Sequence, residues 1–197
     1  LVPQLLSLLG VPLALRVFIR EKSKVNWKPM KFLIGGRVIG GPIGLVFLTT
    51  LDPNLLSISV GAIVLSAGLG SYFGWNVKRN SINSLLAGTF SGIFGMIAAI
   101  GGPPVAILYR GTKGSEFRPS LNAVFTLGIL ITLSLLVFTG NLLQDHLVLF
   151  LYLVLPVLLG IRFSSLLFSR VSDKLIADMV TYFSIFSGAV VIYRALF

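Results

Sequence analysis

Cysteine is absent from the chain, and histidine occurs once, at position 146. The absence of cysteine excludes disulfides, thiolate catalysis and cysteine-based metal sites. His146 falls in a loop, where we expect water around it, and one histidine cannot supply the ligand set of a metal centre. We therefore expect neither a metal nor a cofactor.

Charged residues are few in this chain, and acidic residues are fewer than basic ones. Only 11% of the residues are charged, with 16 Lys and Arg against 6 Asp and Glu, while 55% are hydrophobic. A soluble domain of this size needs more charge to cover its surface. Most basic residues lie in short loops between apolar runs, where the positive-inside bias places them. Membrane lipid, and not nucleic acid, is therefore the expected partner of the positive charge.

Long apolar runs make up most of the chain. A helix needs about 20 apolar residues to cross a hydrocarbon core about 30 Å thick. We assign segments A to G to residues 1–19, 32–50, 55–75, 85–109, 119–139, 147–168 and 175–196. The sequence therefore predicts an all-α fold, a polytopic transmembrane helical bundle.

Segments A to C match segments E to G at an offset of about 120 residues. Two glycine pairs and one turn share this register: Gly41 with Gly160, Gly68 with Gly188, and residues 51–53 with 171–173. The match predicts a first repeat over residues 1–75 and a second repeat over 85–197. Segment D has no counterpart, so we expect a similar segment before Leu1 in the native protein.

The loop charges predict how the chain crosses the membrane. The loop between A and B is placed in the cytoplasm by Arg20, Lys22, Lys24, Lys28 and Lys31. If segment D crossed once, the basic loops after D and after F would both lie outside, against the bias. If segment D enters, breaks and returns, both loops lie in the cytoplasm. This second arrangement makes the two repeats inverted, as in many secondary transporters.

Segment D is interrupted by Gly101-Gly102-Pro103-Pro104. Proline ends an arriving helix, and glycine permits close backbone approach. A helix that restarts at Pro103 would point its free amides and its positive dipole end at the break, which favours an anion there. The alternative is a simple loop or a proline kink between packed helices.

This motif and its surroundings resemble a known family. Ser91-Gly92-Ile93-Phe94-Gly95, the Gly-Gly-Pro-Pro element with Tyr109, and then Phe117-Arg118 and Asn122 are similar to the glycine-rich repeat motif of the TauE/SafE family, the sulfite exporters and sulfonate permeases. The resemblance covers essentially the whole chain, although the family's first glycine-rich motif is absent. It implies a transporter of small anions, often sulfur oxyanions or organosulfonates.

The candidate substrate-binding residues combine the motif with nearby polar side chains: Gly101, Gly102, Pro103, Pro104, Tyr109, Arg118, Asn122 and Arg37. A charged side chain inside a span is functional by default. Arg37 could instead extend to the membrane interface, and Arg118 could simply be a loop residue that sets topology.

We therefore expect a secondary transporter in the cell (inner) membrane that moves a sulfur oxyanion or organosulfonate by alternating access. Sulfite, sulfoacetate and taurine-like molecules are the implied substrates, and carboxylate anions are an alternative. An intramembrane lipid-modifying enzyme is a further alternative, which would need a positioned nucleophile or base that the spans do not offer. A homodimer is left open.

Overall fold

The computed structural model describes residues 2–74, 77–109, 114–167 and 173–196. Its helices are α1 Val2–Glu21, α2 Trp27–Thr50, α3 Pro53–Tyr72, α4 Ser81–Ala98, α5 Gly102–Leu108, α6 Gly114–Phe138, α7 Gln144–Leu167 and α8 Asp173–Leu196, with a 3₁₀ turn at Lys22–Lys24. No strand occurs in these ranges.

Length and apolar composition allow five of the described helices to cross a membrane. These are Trp27–Thr50, Pro53–Tyr72, Ser81–Ala98, Pro119–Phe138 and Gln144–Phe163. A shorter apolar helix covers Thr181–Leu196. The prediction of an all-α, polytopic membrane bundle is confirmed.

Polar side chains fix the starts of α2, α3 and α4. Asn26, Asp52 and Asn80 each accept a hydrogen bond from a backbone amide in the first turn of the following helix, at 3.3, 2.9 and 2.7 Å. Such caps satisfy amides that have no partner within the helix. The Asp52 cap also forms the tight turn from α2 into α3.

Helices α2 and α4 pack closely along their lengths because both have glycine at the contact. A Cβ atom on Gly36 or Gly40 of α2 would collide with the backbone of α4, and one on Gly88 would collide with the Leu33 carbonyl. A Cβ on Gly44 would lie 2.8 Å from the Ile93 carbonyl oxygen. This close crossing brings the middle of α2, which carries Arg37, against the second half of α4.

The other helices pair around this crossing. Helix α1 packs on α6, α2 also packs on α6, and α7 packs on α1. Helices α3 and α8 form a separate close pair, in which a Cβ on Gly188 would lie 2.7 Å from the Leu65 amide nitrogen.

Segment D is broken, as predicted. Helix α4 ends at Ala98 and α5 begins at Gly102, and Ala99 between them has a φ of 56°, in the left-handed region. The Ser91 hydroxyl donates a hydrogen bond to the Gly101 carbonyl, which ties the returning chain to the middle of α4.

After the break the chain returns to the side from which it came. Tyr109 follows α5, and Arg79 precedes α4, yet the Arg79 guanidinium carbon lies 5.0 Å from the centre of the Tyr109 ring. Arg79 Nη1 also lies 2.7 Å from the Glu116 carboxylate at the start of α6. The two ends of segment D are therefore neighbours, which confirms the broken, re-entrant helix.

His146 is not the solvated loop residue that we expected. It lies in the first turn of α7, and its side chain is buried. The Leu143 amide donates a hydrogen bond of 3.0 Å to His146 Nδ1. The residue therefore closes the turn between α6 and α7.

Candidate functional site

A cavity of about 460 Å³ lies beside the break in segment D. Helices α1, α2, α4 and α6 and the link between α4 and α5 form its wall, through Leu6, Ser7, Gly10, Leu13, Ala14, Arg37, Gly95, Ala98, Ala99, Ile100, Gly101, Gly102, Asn122, Phe125, Ile129 and Thr132. Its volume is in the range of small-molecule sites.

Arg37 is the charged group of this wall. It lies in the middle of α2 and is only 5% exposed, so its side chain does not extend to the interface. Its Nη1 donates a hydrogen bond of 2.9 Å to the Val124 carbonyl of α6. In the described ranges no carboxylate lies within ion-pair distance of it.

Three glycines make the space in which this guanidinium lies. A Cβ atom on Gly95 of α4 would be 2.6 Å from Arg37 Nη2, and one on Gly101 would be 2.7 Å from the same atom. A Cβ on Gly128 of α6 would overlap the guanidinium carbon. Any side chain at these positions would therefore push the arginine out of its place.

The guanidinium has more donors than the protein uses. Arginine carries five N–H groups, and the described residues accept one hydrogen bond from Arg37. A buried cation is costly unless it is paired and hydrogen-bonded. An anion in the adjoining cavity would supply both the charge and the acceptors.

Three other predicted residues share the cavity. Gly101 and Gly102 expose the backbone of the break, and Asn122 contributes an amide from α6. The Asn122 Nδ2 lies 3.4 Å from the Glu21 carboxylate at the end of α1, so one carboxylate borders the site through that amide. The Phe125 ring lies against Gly102, where an added Cβ would meet it at 3.1 Å.

The remaining predicted residues are placed differently. Pro103 and Pro104 lie in the first turn of α5 and do not line the cavity. Tyr109 is buried at the far end of α5, beside Arg79. Arg118 belongs to the first turns of α6, and its side chain lies outside the described part of the chain.

The break offers fewer amides than a free helix start would provide. Helix α5 begins at Gly102, one residue before the predicted start at Pro103. Proline has no N–H, so Pro103 and Pro104 remove two of the amides that would face the break. The arginine is therefore the stronger group for an anion at this cavity.

Sequence reasoning missed the residues that position Arg37. Gly95 was part of a family motif, but nothing in the sequence paired it with α2. Gly128 is an isolated glycine in the apolar run of α6, a signal of close approach by another chain segment. The Val124 carbonyl, four residues earlier, carries no sequence signal because every residue has one.

A comparison with protein families agrees with this picture. The family model described as Sulfite exporter TauE/SafE matches residues 3–191 of the chain. The chain belongs to the TauE/SafE family. TauE/SafE proteins are membrane transporters of sulfur anions in the broad sense, and this member is a multi-pass membrane protein. All the residues of the cavity wall lie within the TauE/SafE match. No curated protein and no solved structure matched the chain.

Proposed function

We propose that this protein moves a small sulfur oxyanion or organosulfonate across the cell (inner) membrane by alternating access. The Arg37 guanidinium binds the anionic group of the substrate in the 460 Å³ cavity. The observation that carries the proposal is the burial of Arg37 at the cavity wall, with a single hydrogen bond from it to the described residues.

The chemistry of the guanidinium suits a sulfur oxyanion. Its planar fork donates two parallel hydrogen bonds to an oxyanion, and such charge-assisted bonds are stronger than neutral ones. The Asn122 amide and the backbone at Gly101 and Gly102 lie on the same wall and can add further donors.

The rest of the wall favours an organic substrate. Leu6, Leu13, Phe125 and Ile129 give the cavity a largely apolar lining. A second negative charge on the substrate would lose its hydration there without gaining a partner. A sulfonate with a short uncharged tail therefore fits this lining better than sulfoacetate, which carries a carboxylate as a second anionic group.

Two features support alternating access. A further cavity of about 630 Å³ includes Gln4, Thr49 and Asn141, and it shares Ala98 with the first, so the end of α4 separates the two spaces. The helix pairing also fits inverted repeats over residues 1–75 and 85–197. In these repeats α1 corresponds to α6, α2 to α7 and α3 to α8. When each helix is replaced by its counterpart, the contact between α2 and α6 becomes the contact between α7 and α1. The contacts between α1 and α6 and between α3 and α8 stay the same.

The test is substrate binding to purified protein with Arg37→Gln and Arg37→Lys. Loss of charge-assisted hydrogen bonds costs about 1.5–3 kcal/mol, so we expect Arg37→Gln to weaken binding about 10- to 150-fold. Arg37→Lys keeps the charge but loses the fork, and we expect an intermediate loss. Arg16→Gln, an exposed arginine of α1, is the matched control.

The panel of ligands separates the alternatives. Sulfite, a short alkanesulfonate, sulfoacetate, taurine and a short carboxylate are compared under the same conditions. Tighter binding of the carboxylate would favour a carboxylate transporter instead. Unchanged affinity in folded Arg37→Gln protein would overturn the assignment of the site.

A further inference from the structure

A polar cleft of about 290 Å³, separate from the two cavities described above, lies where α2 and α4 begin. It is lined by Asn26, Lys28, Pro29, Phe32, Arg79, Asn80, Ser81 and Ser84. It shares no lining residue with the Arg37 cavity. The proposed function therefore does not use it.

Positive potential converges on this cleft from two helices. Asn26 and Asn80, the caps of α2 and α4, both line it, so two helix starts meet there. In α4 the first intrahelical hydrogen bond is donated by the Ser84 amide to the Asn80 carbonyl, which leaves the preceding amides of Ser81 and Ile82 outside the helical ladder. Such starts favour anions.

Two side-chain cations add to the helix starts. Lys28 is exposed at the cleft, and Arg79 is held in place by Glu116 at 2.7 Å and by the Tyr109 ring. Glu116 is also 3.5 Å from the Asn26 amide, so one carboxylate borders the cleft. Two cations against one carboxylate leave the cleft positive.

A buried hydroxyl indicates a missing partner. Ser84 is 1% exposed, and its Oγ atom has no hydrogen-bond partner in the described structure. A buried hydroxyl without a partner is costly, and a serine in a helix can usually bond to the preceding turn. A ligand in the cleft that accepts a hydrogen bond would remove this cost.

We propose that this cleft binds a phosphate group. Lys28, Arg79 and the start of α4 would neutralise it, and Ser84 would donate to one of its oxygens. The cleft lies at the beginnings of two candidate membrane spans, and the half-exposed Phe32 ring forms its apolar side. The headgroup of an anionic phospholipid would present its phosphate at this depth, and free phosphate offers the same chemistry.

The experiment measures thermal stabilisation of the full-length protein in detergent by added phosphatidylglycerol, phosphatidylcholine or inorganic phosphate. For Lys28→Gln we expect about fivefold more phosphatidylglycerol for half-maximal stabilisation, because a basic residue near a lipid surface contributes about that factor. Lys31→Gln, a neighbouring lysine that does not line the cleft, is the matched control.

Ser84→Ala is expected to change two melting-temperature readouts in opposite directions. Removal of the unpartnered hydroxyl should raise the melting temperature without ligand and reduce the shift that the ligand causes. Protection by phosphatidylglycerol above that by inorganic phosphate supports a lipid, and equal protection by inorganic phosphate supports a soluble anion in the same cleft. An unchanged ligand shift in both Ser84→Ala and Lys28→Gln, or an equal loss in Lys31→Gln, would overturn the proposal. Substrate binding at Arg37 is measured in parallel, so failure of one site is distinguishable from failure of the other.

Discussion

At the scale of single residues, the position of the Arg37 guanidinium depends on neighbouring glycines, which have no side chain to occupy its space. Gly95, Gly101 and Gly128 come from three different parts of the chain, and each leaves room for the Arg37 guanidinium. A methyl group at any of them would compete with the cation for space. Packing in protein interiors is dense enough that one methyl is felt.

Gly95→Ala tests this arrangement without removing the charge. The added Cβ would lie 2.6 Å from Arg37 Nη2, so the guanidinium must shift from its observed position. We expect substrate affinity to fall about tenfold, with a loss of stability of about 1–3 kcal/mol. The measurements are the dissociation constant and the thermal unfolding of the same preparations.

Gly10→Ala is the control for this prediction. Gly10 lies on the same cavity wall, but its Cβ would meet the flexible end of Ile129 at 3.1 Å, away from the arginine. We expect its anion affinity to stay close to that of the wild type. Equal losses in both variants would show that Gly95 acts on the cavity in general and not on Arg37.

Sequence could nominate Arg37, because a charge inside an apolar run is rare. It could also nominate Gly101 and Gly102, because they stand at the predicted helix break, and Asn122, because it belongs to the motif that resembles the family. The sequence could not show that Tyr109 lies away from the cavity that these four residues line. Tyr109 is near the motif in sequence, but the helix between them moves it about 10 Å away along its axis. Nor could the sequence predict that α6 packs against α2, since that contact depends on how segments that are distant in the chain pack together.

At the scale of helices, the site depends on the contact between α2 and α4, where the two backbones approach each other closely. Gly36, Gly40 and Gly44 of α2 recur every four residues, a spacing typical of helix packing in membranes, and the structure places them at such a contact. Helix limits were predicted less well. Helix α6 begins at Gly114, before the apolar run that starts at 119, because hydropathy marks the part of a helix in lipid and not the helix itself.

Gly40→Ala should disrupt this contact. Its Cβ would collide with the Thr89 carbonyl, which is backbone and cannot turn aside. We expect a loss of about 1–3 kcal/mol in the free energy of unfolding, measured by denaturant titration in mixed micelles. Gly160→Ala in α7 is the matched control, since nothing lies within 4 Å of its Cβ. There alanine should be neutral or add up to about 1 kcal/mol through helix propensity. Similar losses in both variants would contradict the packing role.

At the scale of the whole molecule, the ion pair between Arg79 and Glu116 joins the segment before α4 to the start of α6. One membrane face therefore contains both ends of segment D. The loop charges predict that this face is cytoplasmic.

Cysteine labelling in intact cells tests the predicted orientation, and the chain has no native cysteine to interfere. We expect Lys78→Cys and Lys113→Cys to react only with reagents that enter the cytoplasm, and Gln144→Cys to react from outside. The predicted cytoplasmic position of Lys174 is tested in the same way. The side chains of Lys113 and Lys174 lie outside the described part of the structure. Labelling of position 113 from outside alone would contradict the returning path of segment D.

The left-handed turn at Ala99 carries backbone strain that nearby hydrogen bonds offset. Alanine in the left-handed region costs about 1–2 kcal/mol, and the hydrogen bond from Ser91 to the Gly101 carbonyl returns about 0.5–1.5 kcal/mol. Two backbone hydrogen bonds also hold the turn, from the Ala99 amide to the Gly95 carbonyl at 3.0 Å and from the Ile100 amide to the Phe94 carbonyl at 3.3 Å, so the turn stays closed despite the strain at Ala99. The turn adjoins Ala98, the residue shared by the two cavities. Any movement of the Arg37 guanidinium, which lies against Gly101, therefore takes place directly beside the residue that separates the two cavities.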